Sequence, residues 1–280
     1  MDLCPGRIGV KLDQEELIDL AAEFGFESVE PFEGALLGKN QEQIQQLTDK
    51  LKKNGLVWGA AGMSVDFRSD ETTFKQGLQR LPAVARSFQQ AGVTRVGTWL
   101  RPSHHELTYL SNFRQHVGRL REIAKVLADH DLRFGLEYVG PRTSWSAGRY
   151  AFIHTLAETQ ELLAEIGQAN MGLVLDSWHW YTAEEDAAAL RKLSNSEVVA
   201  VDLNDAPSAV DVREQIDNRR ELPVATGVID VKSFLNALVA IGYDGPIRAE
   251  PFNKALNELE NRDAIQATAK AMSSAFAQIG

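Results

Sequence analysis

The feature that most constrains the fold is an alternation, along the whole chain, between short apolar runs and longer amphipathic segments. Most runs are continuously apolar, which is typical of parallel strands buried on both faces. Between them, apolar residues recur at spacings of three and four, as in Leu17, Leu20 and Phe24, and this spacing indicates helices with one buried face. We interpret eight runs as strands: Arg7–Val10, Ser28–Pro31, Leu56–Met63, Arg95–Leu100, Arg133–Val139, Met171–Asp176, Val198–Leu203 and Pro246–Glu250.

Eight strand–helix units in 280 residues predict an α/β protein built as one closed (β/α)8 barrel, a TIM barrel, with residues 1–280 forming a single domain. No linker rich in Pro, Gly and Ser divides the chain into halves. A doubly wound open sheet is the alternative. It is disfavoured because no G-x-G-x-x-G turn follows the first run, and because the chain contains no G-x-x-x-x-G-K-[ST] motif.

Composition and charge narrow the possible partners. Lys and Arg number 29 against 39 Asp and Glu, and the resulting net charge of −10 disfavours binding to nucleic acid. The uncharged stretch Gly55–Val65 is too short to cross a bilayer, and the first residues lack the pattern of a secretory signal. We therefore expect a cytoplasmic protein that acts on a small molecule, without nucleic-acid or membrane partners, and a homo-oligomer is possible.

Carboxylates stand at or near the carboxyl ends of the last four predicted strands. In a barrel of this class the active site lies at those ends. Four acids that meet there without a cation would repel one another and resist desolvation, unless each simply faces solvent or pairs with Arg or Lys. Oxygen ligands favour a hard cation such as Mg²⁺ or Mn²⁺. The sequence predicts one divalent metal ion bound by Glu137, Asp176, Asp202 and Glu250.

Other polar and aromatic residues are expected near the same rim, where they can bind substrate. Histidine can hold a substrate hydroxyl or donate a proton, arginine can bind a substrate oxygen or phosphate, and an aromatic face suits the apolar face of a sugar ring. The structural alternatives are a surface histidine, a packed tryptophan and a solvated charge. The candidate substrate-binding residues are His179, Trp178, Asn204, Arg220, His104 and Glu30.

Six segments resemble, in order and spacing, the xylose isomerase-like superfamily, specifically its sugar phosphate isomerase/epimerase group. The resemblance covers essentially the whole chain. It implies a (β/α)8 barrel that binds one divalent metal through Glu, Asp, His and Glu from strands five to eight. The segments are Gly25–Glu30, Leu136–Glu137, Leu175–His179, Val201–Asp205, Gly227–Asp230 and Ala249–Pro251.

Transferred to this chain, the resemblance implies Glu137, Asp176 and Glu250 as metal ligands. His179 matches the histidine of the family motif D-x-x-H, which lies near the substrate. These assignments come from the motif and agree with the cluster of acids that the strand ends predict.

The third ligand position departs from the family pattern. The family has His-x-x-Asp, whereas this chain has Asp202-x-x-Asp205. An aspartate still ligates a hard cation, so Mn²⁺ or Mg²⁺ is favoured and Zn²⁺ or Co²⁺ is possible. The change makes the site more anionic, and it leaves open that Asn204 contributes in place of Asp202.

The resemblance implies an isomerase or epimerase for a sugar, a sugar phosphate or an inositol-like polyol. Glu137 and Glu250 would flank the substrate, one removing the proton next to the carbonyl through a metal-stabilised enediolate and the other returning it. Alternatives are a dehydratase of the same fold, such as an inosose dehydratase, and a non-catalytic sugar-binding barrel. The endonuclease IV branch uses additional histidines, and only six histidines with a net charge of −10 disfavour it.

Overall fold

The computed structural model describes residues 1–280 and shows nine parallel strands in a nearly closed barrel surrounded by helices. This arrangement confirms the predicted α/β barrel. No helix combines the length and the apolar composition that a membrane span needs. The strands are β1 (Asp2–Leu3), β2 (Ser28–Val29), β3 (Val57–Trp58), β4 (Ala60–Gly62), β5 (Arg95–Trp99), β6 (Ser103–His104), β7 (Arg133–Glu137), β8 (Tyr150–Ala151), β9 (Met171–Asp176), β10 (Val198–Leu203) and β11 (Ile247–Ala249).

The barrel strands follow the order β3-β2-β1-β11-β10-β9-β7-β5-β4, while β6 and β8 form a separate antiparallel pair. The helices are α1 (Gln14–Glu23), α2 (Glu33–Leu36), α3 (Gln41–Lys53), α4 (Glu71–Ala91), α5 (Tyr109–Ala128), α6 (Arg142–Trp145), α7 (Leu156–Ile166), α8 (Ser177–Thr182), α9 (Ala187–Leu190), α10 (Val231–Ala240), α11 (Lys254–Asn257) and α12 (Asn261–Phe276). Short 3-10 helices span Pro5–Ile8, Asn195–Glu197 and Val212–Glu214.

The third predicted strand, Leu56–Met63, is divided at Gly59 into β3 and β4. β3 pairs with β2 and β4 pairs with β5, so the two pieces together fill one position of the ring. A side chain at Gly59 would overlap the carboxylate of Asp2, which lies against this residue. The division therefore leaves the ring with the eight strand positions that the sequence predicts.

The prediction of the first strand at Arg7–Val10 is wrong. The strand is Asp2–Leu3, and the residues predicted to be extended lie in a 3-10 helix, Pro5–Ile8, that ends at Gly9 with φ +75°. Proline fixes φ near the helical value and donates no hydrogen bond to a strand, so the chain leaves the sheet at Pro5. As a result, Arg7 lies just beyond the carboxyl end of β1, on the side of the barrel where the acids lie.

Small side chains fill the barrel interior below the acids. Ala60, Val174 and Ala200 form a buried cluster of their own. Gly135 is required beside it, because a Cβ there would lie 2.7 Å from Cγ2 of Val174. The main apolar core lies between the strands and the surrounding helices. The interior is thus closed by small apolar groups at one level and opens into a polar site at the carboxyl ends of the strands.

Candidate active site

The structure brings the four predicted acids together at the carboxyl ends of adjacent strands. Glu137 ends β7, Asp176 ends β9, Asp202 lies in β10 and Glu250 follows β11 directly, and all four are buried. Ligand atoms of Glu137, Asp202 and Glu250 lie within 4.8 Å of one another, and so do those of Glu137, Asp176 and His179. Both groups have the spacing that a single metal ion requires, and they share Glu137.

Arginine side chains offset part of this negative charge. Nη1 of Arg220 donates hydrogen bonds to Oδ2 of Asp176 at 2.7 Å and to Oε2 of Glu250 at 2.8 Å. Arg7 forms an ion pair with the other carboxylate oxygen of Glu250. Two of the four acids are therefore joined by one buried guanidinium, which the sequence predicted only as a substrate-binding group.

The guanidinium of Arg220 is enclosed by aromatic rings. It lies 5.4 Å from the ring centre of Trp178 and 5.0 Å from that of Phe252, and its Nη2 donates to Asp217 at 2.7 Å. Trp178 is fully buried, so its ring packs against Arg220. Phe252 has φ +42°, a left-handed conformation that costs free energy for a bulky residue. The local structure thus holds this cation in one orientation.

Asp202 is paired with Arg248. Nε of Arg248 donates to Oδ1 at 2.5 Å and Nη2 donates to Oδ2 at 3.1 Å, so both carboxylate oxygens are occupied. Burial raises the pKa of Asp202, but the charges of Arg248 and Arg7 outweigh it and hold the pKa below its usual value. The negative charge of Asp202 is therefore offset within the barrel.

Glu137 is the acid whose negative charge is least offset by neighbouring groups. Its Oε1 is buried and accepts no hydrogen bond. Burial, followed by the charges of Asp202 and Asp176, raises the pKa of Glu137 well above its usual value. A proton or a cation beside Glu137 would reduce the free-energy cost of burying this charge next to two other acids. The unpartnered oxygen and the oxygen-rich surroundings fit a divalent cation.

Asn204 joins two of the acids. Its Nδ2 donates to Oδ1 of Asp176 at 2.9 Å, and its Oδ1 accepts the backbone N–H of Glu250 at 2.9 Å. Asp205 lies outside the cluster, where its carboxylate accepts backbone N–H groups from Thr226 and Gly227. Both polar atoms of the Asn204 amide are thus used to hold the carboxylates in place.

His179 lies against the acids with a hydrogen-bond donor facing each of its ring nitrogens. The backbone N–H of Gly140 lies 3.2 Å from Nδ1, and Nη2 of Arg220 lies 3.2 Å from Nε2. Nε2 lies 3.8 Å from Oδ2 of Asp176 and 3.9 Å from Oδ1 of Asp217. Burial lowers the pKa of His179, with Asp176 opposing the shift, and therefore favours the neutral ring.

His104 and Glu30 are not bonded to the four acids. Nδ1 of His104 accepts the backbone N–H groups of Glu106 and Leu107 at 3.0 and 2.8 Å, which fixes the turn after β6. Glu30 is half-buried and accepts a hydrogen bond from Sγ of Cys4. Both side chains therefore form hydrogen bonds with nearby residues and none with the four acids.

A cavity of about 150 Å³ opens beside Glu137 at the mouth of the barrel. Sequence reasoning missed three arginines that line it: Arg7, Arg68 and Arg248. A signal for Arg248 was present, because it stands two residues before Glu250 and alternate residues of a strand share a face. No comparable signal existed for Arg68, which lies in a loop after β4.

Known proteins resemble the chain in sequence and fold. The 3-dehydroshikimate dehydratase of Pseudomonas aeruginosa is 30% identical over 245 residues, a region that covers 85% of this chain but only 36% of that protein. The inosose isomerase of Halalkalibacterium halodurans is 26% identical over 158 residues, which are 56% of this chain and 52% of that protein. This chain thus spans about a third of the length of the dehydratase that it matches.

A solved structure also matches. A xylose isomerase domain protein from Alicyclobacillus acidocaldarius superimposes with a TM-score of 0.84 at 29% identity, covering 97% of this chain and 96% of that one. The sequence relatives are enzymes of two reaction classes. A family model described as a xylose isomerase-like TIM barrel matches residues 18–275, and the chain belongs to that family, as its motifs predicted.

Proposed function

We propose that the protein is a divalent-metal-dependent isomerase or epimerase of a small sugar or polyol ketone, acting by removal of the proton next to the carbonyl. The observation that supports this most is the unpartnered, buried Oε1 of Glu137 among three further acids. Glu137, Asp176 and Glu250 would hold the cation. Asp202 belongs to the same group, and its carboxylate is also bonded to Arg248.

When bound, a divalent cation supplies Lewis-acid polarisation of the substrate carbonyl. The protein's own groups move the protons. The buried Oε1 of Glu137 accepts no hydrogen bond, so it is free to take a proton. Glu250 is held by Arg220 on one oxygen and by Arg7 on the other, which fixes its carboxylate toward the site. In this proposal Glu137 accepts the proton from carbon, and Glu250, on the other side of the substrate, returns to carbon a proton that it has taken from solvent.

A dehydratase is the second candidate, and it begins with the same removal of a proton next to the carbonyl. After proton removal, the bond between carbon and a β-hydroxyl oxygen can break, with its electron pair leaving on the oxygen. The oxygen then needs a proton, which Glu137 can pass on after taking it from carbon. The sequence similarity to 3-dehydroshikimate dehydratases supports the same candidate.

One experiment distinguishes the two reactions. The protein, loaded with Mn²⁺ or Mg²⁺ or stripped with EDTA, is incubated in D₂O with a panel of ketoses and inososes. NMR follows deuterium at the carbon next to the carbonyl, and ultraviolet absorbance follows an unsaturated ketone. We expect metal-dependent exchange, lost by about 10³-fold in Glu137→Gln and retained in Glu161→Gln, an exposed control on α7. Metal-loaded protein that yields neither signal contradicts the proposal.

A further inference from the structure

The cavity at the mouth of the barrel is lined by Glu137 and by three arginines, Arg7, Arg68 and Arg248. The guanidinium carbon of Arg68 lies 4.5 Å from the ring centre of Phe67 and 4.4 Å from that of Trp99. Nη1 donates to Oγ1 of Thr98 at 3.1 Å and to the carbonyl oxygen of Trp99 at 2.6 Å. The guanidinium is thus fixed in plane and position.

Arg68 differs from the other arginines of the site because it lacks a carboxylate at hydrogen-bonding distance. Arg220 and Arg248 each donate to a buried acid, and Arg7 forms an ion pair with Glu250. The acid beside Arg68 is Asp66, whose Oδ1 lies 3.7 Å from Nε. Nη2 donates to no protein group, although the side chain is only 12% exposed. The site therefore contains a largely desolvated cation with a free donor.

The charge of this group persists at neutral pH. Burial lowers the pKa of Arg68 to about 10, Asp66 opposes the shift and Arg101 adds to it. The guanidinium thus stays protonated in a place where its hydration is incomplete. A ligand oxyanion there would gain a charge-assisted hydrogen bond from Arg68. The carboxylate that faces this cation, Asp66, lies 3.7 Å from Nε and is 44% exposed, so it offsets the charge of Arg68 only in part.

We propose that Arg68 binds an oxyanion carried by the substrate, a carboxylate or a phosphate, and that the substrate is an anionic polyol ketone rather than a neutral sugar. This inference rests on the proposed function, since it assigns a substrate class to the same site.

The dimensions of the cavity agree with this assignment. Trp99 and Glu137 are register partners on β5 and β7, and neighbouring strands lie about 4.8 Å apart. Arg68, Trp99 and Glu137 line the same cavity, so a ligand whose oxyanion binds Arg68 can lie within reach of Glu137. The cavity of about 150 Å³ has roughly the volume that holds one six-membered ring.

A purely structural role for Arg68, joining its loop to β5, is the competing explanation. Calorimetry with two pairs of probes separates the explanations, each pair sharing one skeleton. Shikimate and its methyl ester differ in a carboxylate, and glucose 6-phosphate and glucose differ in a phosphate. All titrations use the full chain with saturating Mn²⁺. The variants are Arg68→Met, Arg68→Lys and, as a control, Arg101→Met, which removes a nearby exposed charge.

We expect the wild-type protein to bind one anionic probe at least 10-fold more tightly than its neutral partner. The pair that shows the preference identifies the oxyanion. Arg68→Met should reduce the ratio to about 1, Arg68→Lys should retain part of it, and Arg101→Met should retain all of it. Mn²⁺ affinity, followed by electron paramagnetic resonance, should be unchanged in all three variants, because Arg68 contacts none of the acids.

Two results would overturn the inference. One is a wild-type protein that binds both members of each pair equally. The other is an Arg68→Met protein that melts at a lower temperature but keeps the wild-type ratio, which is what a structural role predicts. Failure of the proposed function looks different, because it removes proton exchange without touching the binding ratio. If deuterium exchanges into neutral ketoses and the protein shows no preference for the anionic probes, the proposed function stands and the proposed anionic substrate is rejected.

Discussion

Asp202 and Arg248 form a buried, two-pronged ion pair between β10 and β11, with their Cα atoms in register. The family motif has a histidine where this chain has Asp202. Here both carboxylate oxygens are already bonded to Arg248. The same guanidinium opposes the effect of burial on Asp2, whose pKa is nonetheless raised to about 6. The residue that the family motif gives as the third metal ligand is thus, in this chain, part of an ion-pair network inside the barrel.

Breaking this pair should be costly, and removing both partners should cost less than the two single changes together. We expect Asp202→Asn to lower the free energy of unfolding by about 3 kcal/mol, because Arg248 is left buried without a counter-ion. Arg248→Met should cost a similar amount. The double variant should be more stable than additivity predicts by about 1–3 kcal/mol, as measured by urea unfolding in EDTA. Strict additivity would mean that the two residues do not stabilise each other.

The acids of the site could be predicted because each follows a buried run that is plain in the sequence. The runs ending at Glu137, Asp176 and Glu250 contain few polar residues, and parallel strands bring their carboxyl ends to one rim. The sequence could not show which arginine pairs with which acid. Arg220 and Arg68 lie in loops, and loop conformation depends on contacts that no periodicity encodes.

The error at the first strand had a further consequence. Because of Pro5, β1 ends at Leu3, before the predicted strand begins. Arg7 therefore lies beside Glu250 instead of within a strand. The Pro-Gly pair before this run is a turn signal that is visible in the sequence. The strand prediction gave more weight to the apolar residues that follow it. A local error in secondary structure therefore concealed one of the charges of the site.

Glu137 should lower the stability of the metal-free protein. Its buried Oε1 has no partner and its pKa is raised by burial and by Asp202, so the neutral amide of Glu137→Gln removes an unfavourable charge. We expect Glu137→Gln in EDTA to be about 1 kcal/mol more stable than wild type at pH 8, as a functional residue held at a cost to stability should be. The variant should also lose most of the stabilisation that Mn²⁺ gives to the wild-type protein.

Two comparisons make this test specific. Asp202→Asn should weaken Mn²⁺ binding less than Glu137→Gln does, because the oxygens of Asp202 are occupied by Arg248. Glu161→Gln should leave both the melting temperature and the Mn²⁺ affinity as they are in the wild type. If Glu137→Gln destabilises the metal-free protein instead, the carboxylate has a structural partner and the reasoning fails.

Arg220 should not tolerate replacement by lysine. Its guanidinium bonds Asp176 and Glu250 through one nitrogen and Asp217 through another, and an ammonium cannot reproduce this geometry. We expect Arg220→Lys to reduce kcat/KM by about 10²-fold or more and to lower the free energy of unfolding by roughly 2 kcal/mol. Arg219→Lys is the matched control, since Arg219 is adjacent and exposed. Equal effects of the two substitutions would refute the assigned role.

His116 should make the protein sensitive to acid, independently of the active site. It is buried between the rings of Phe67 and Phe152, its Nδ1 donates to the carbonyl of Asn112, and its Nε2 has no partner. Burial lowers its pKa from 6.5 to about 4. Between these values the unfolded chain binds a proton that the folded chain does not, so stability is lost as the pH falls from 6.5 toward 4.

The contribution of His116 to this loss should be up to about 3 kcal/mol. His116→Phe keeps an aromatic ring in the same packing and removes the titration. The difference in unfolding free energy between variant and wild type should therefore change by up to that amount, in favour of the variant, as the pH falls from 6.5 to 4. His130→Phe is the control, because His130 makes the same bond to a carbonyl four residues earlier but is only half-buried. A pH-independent difference for His116→Phe would show that the buried ring does not resist protonation.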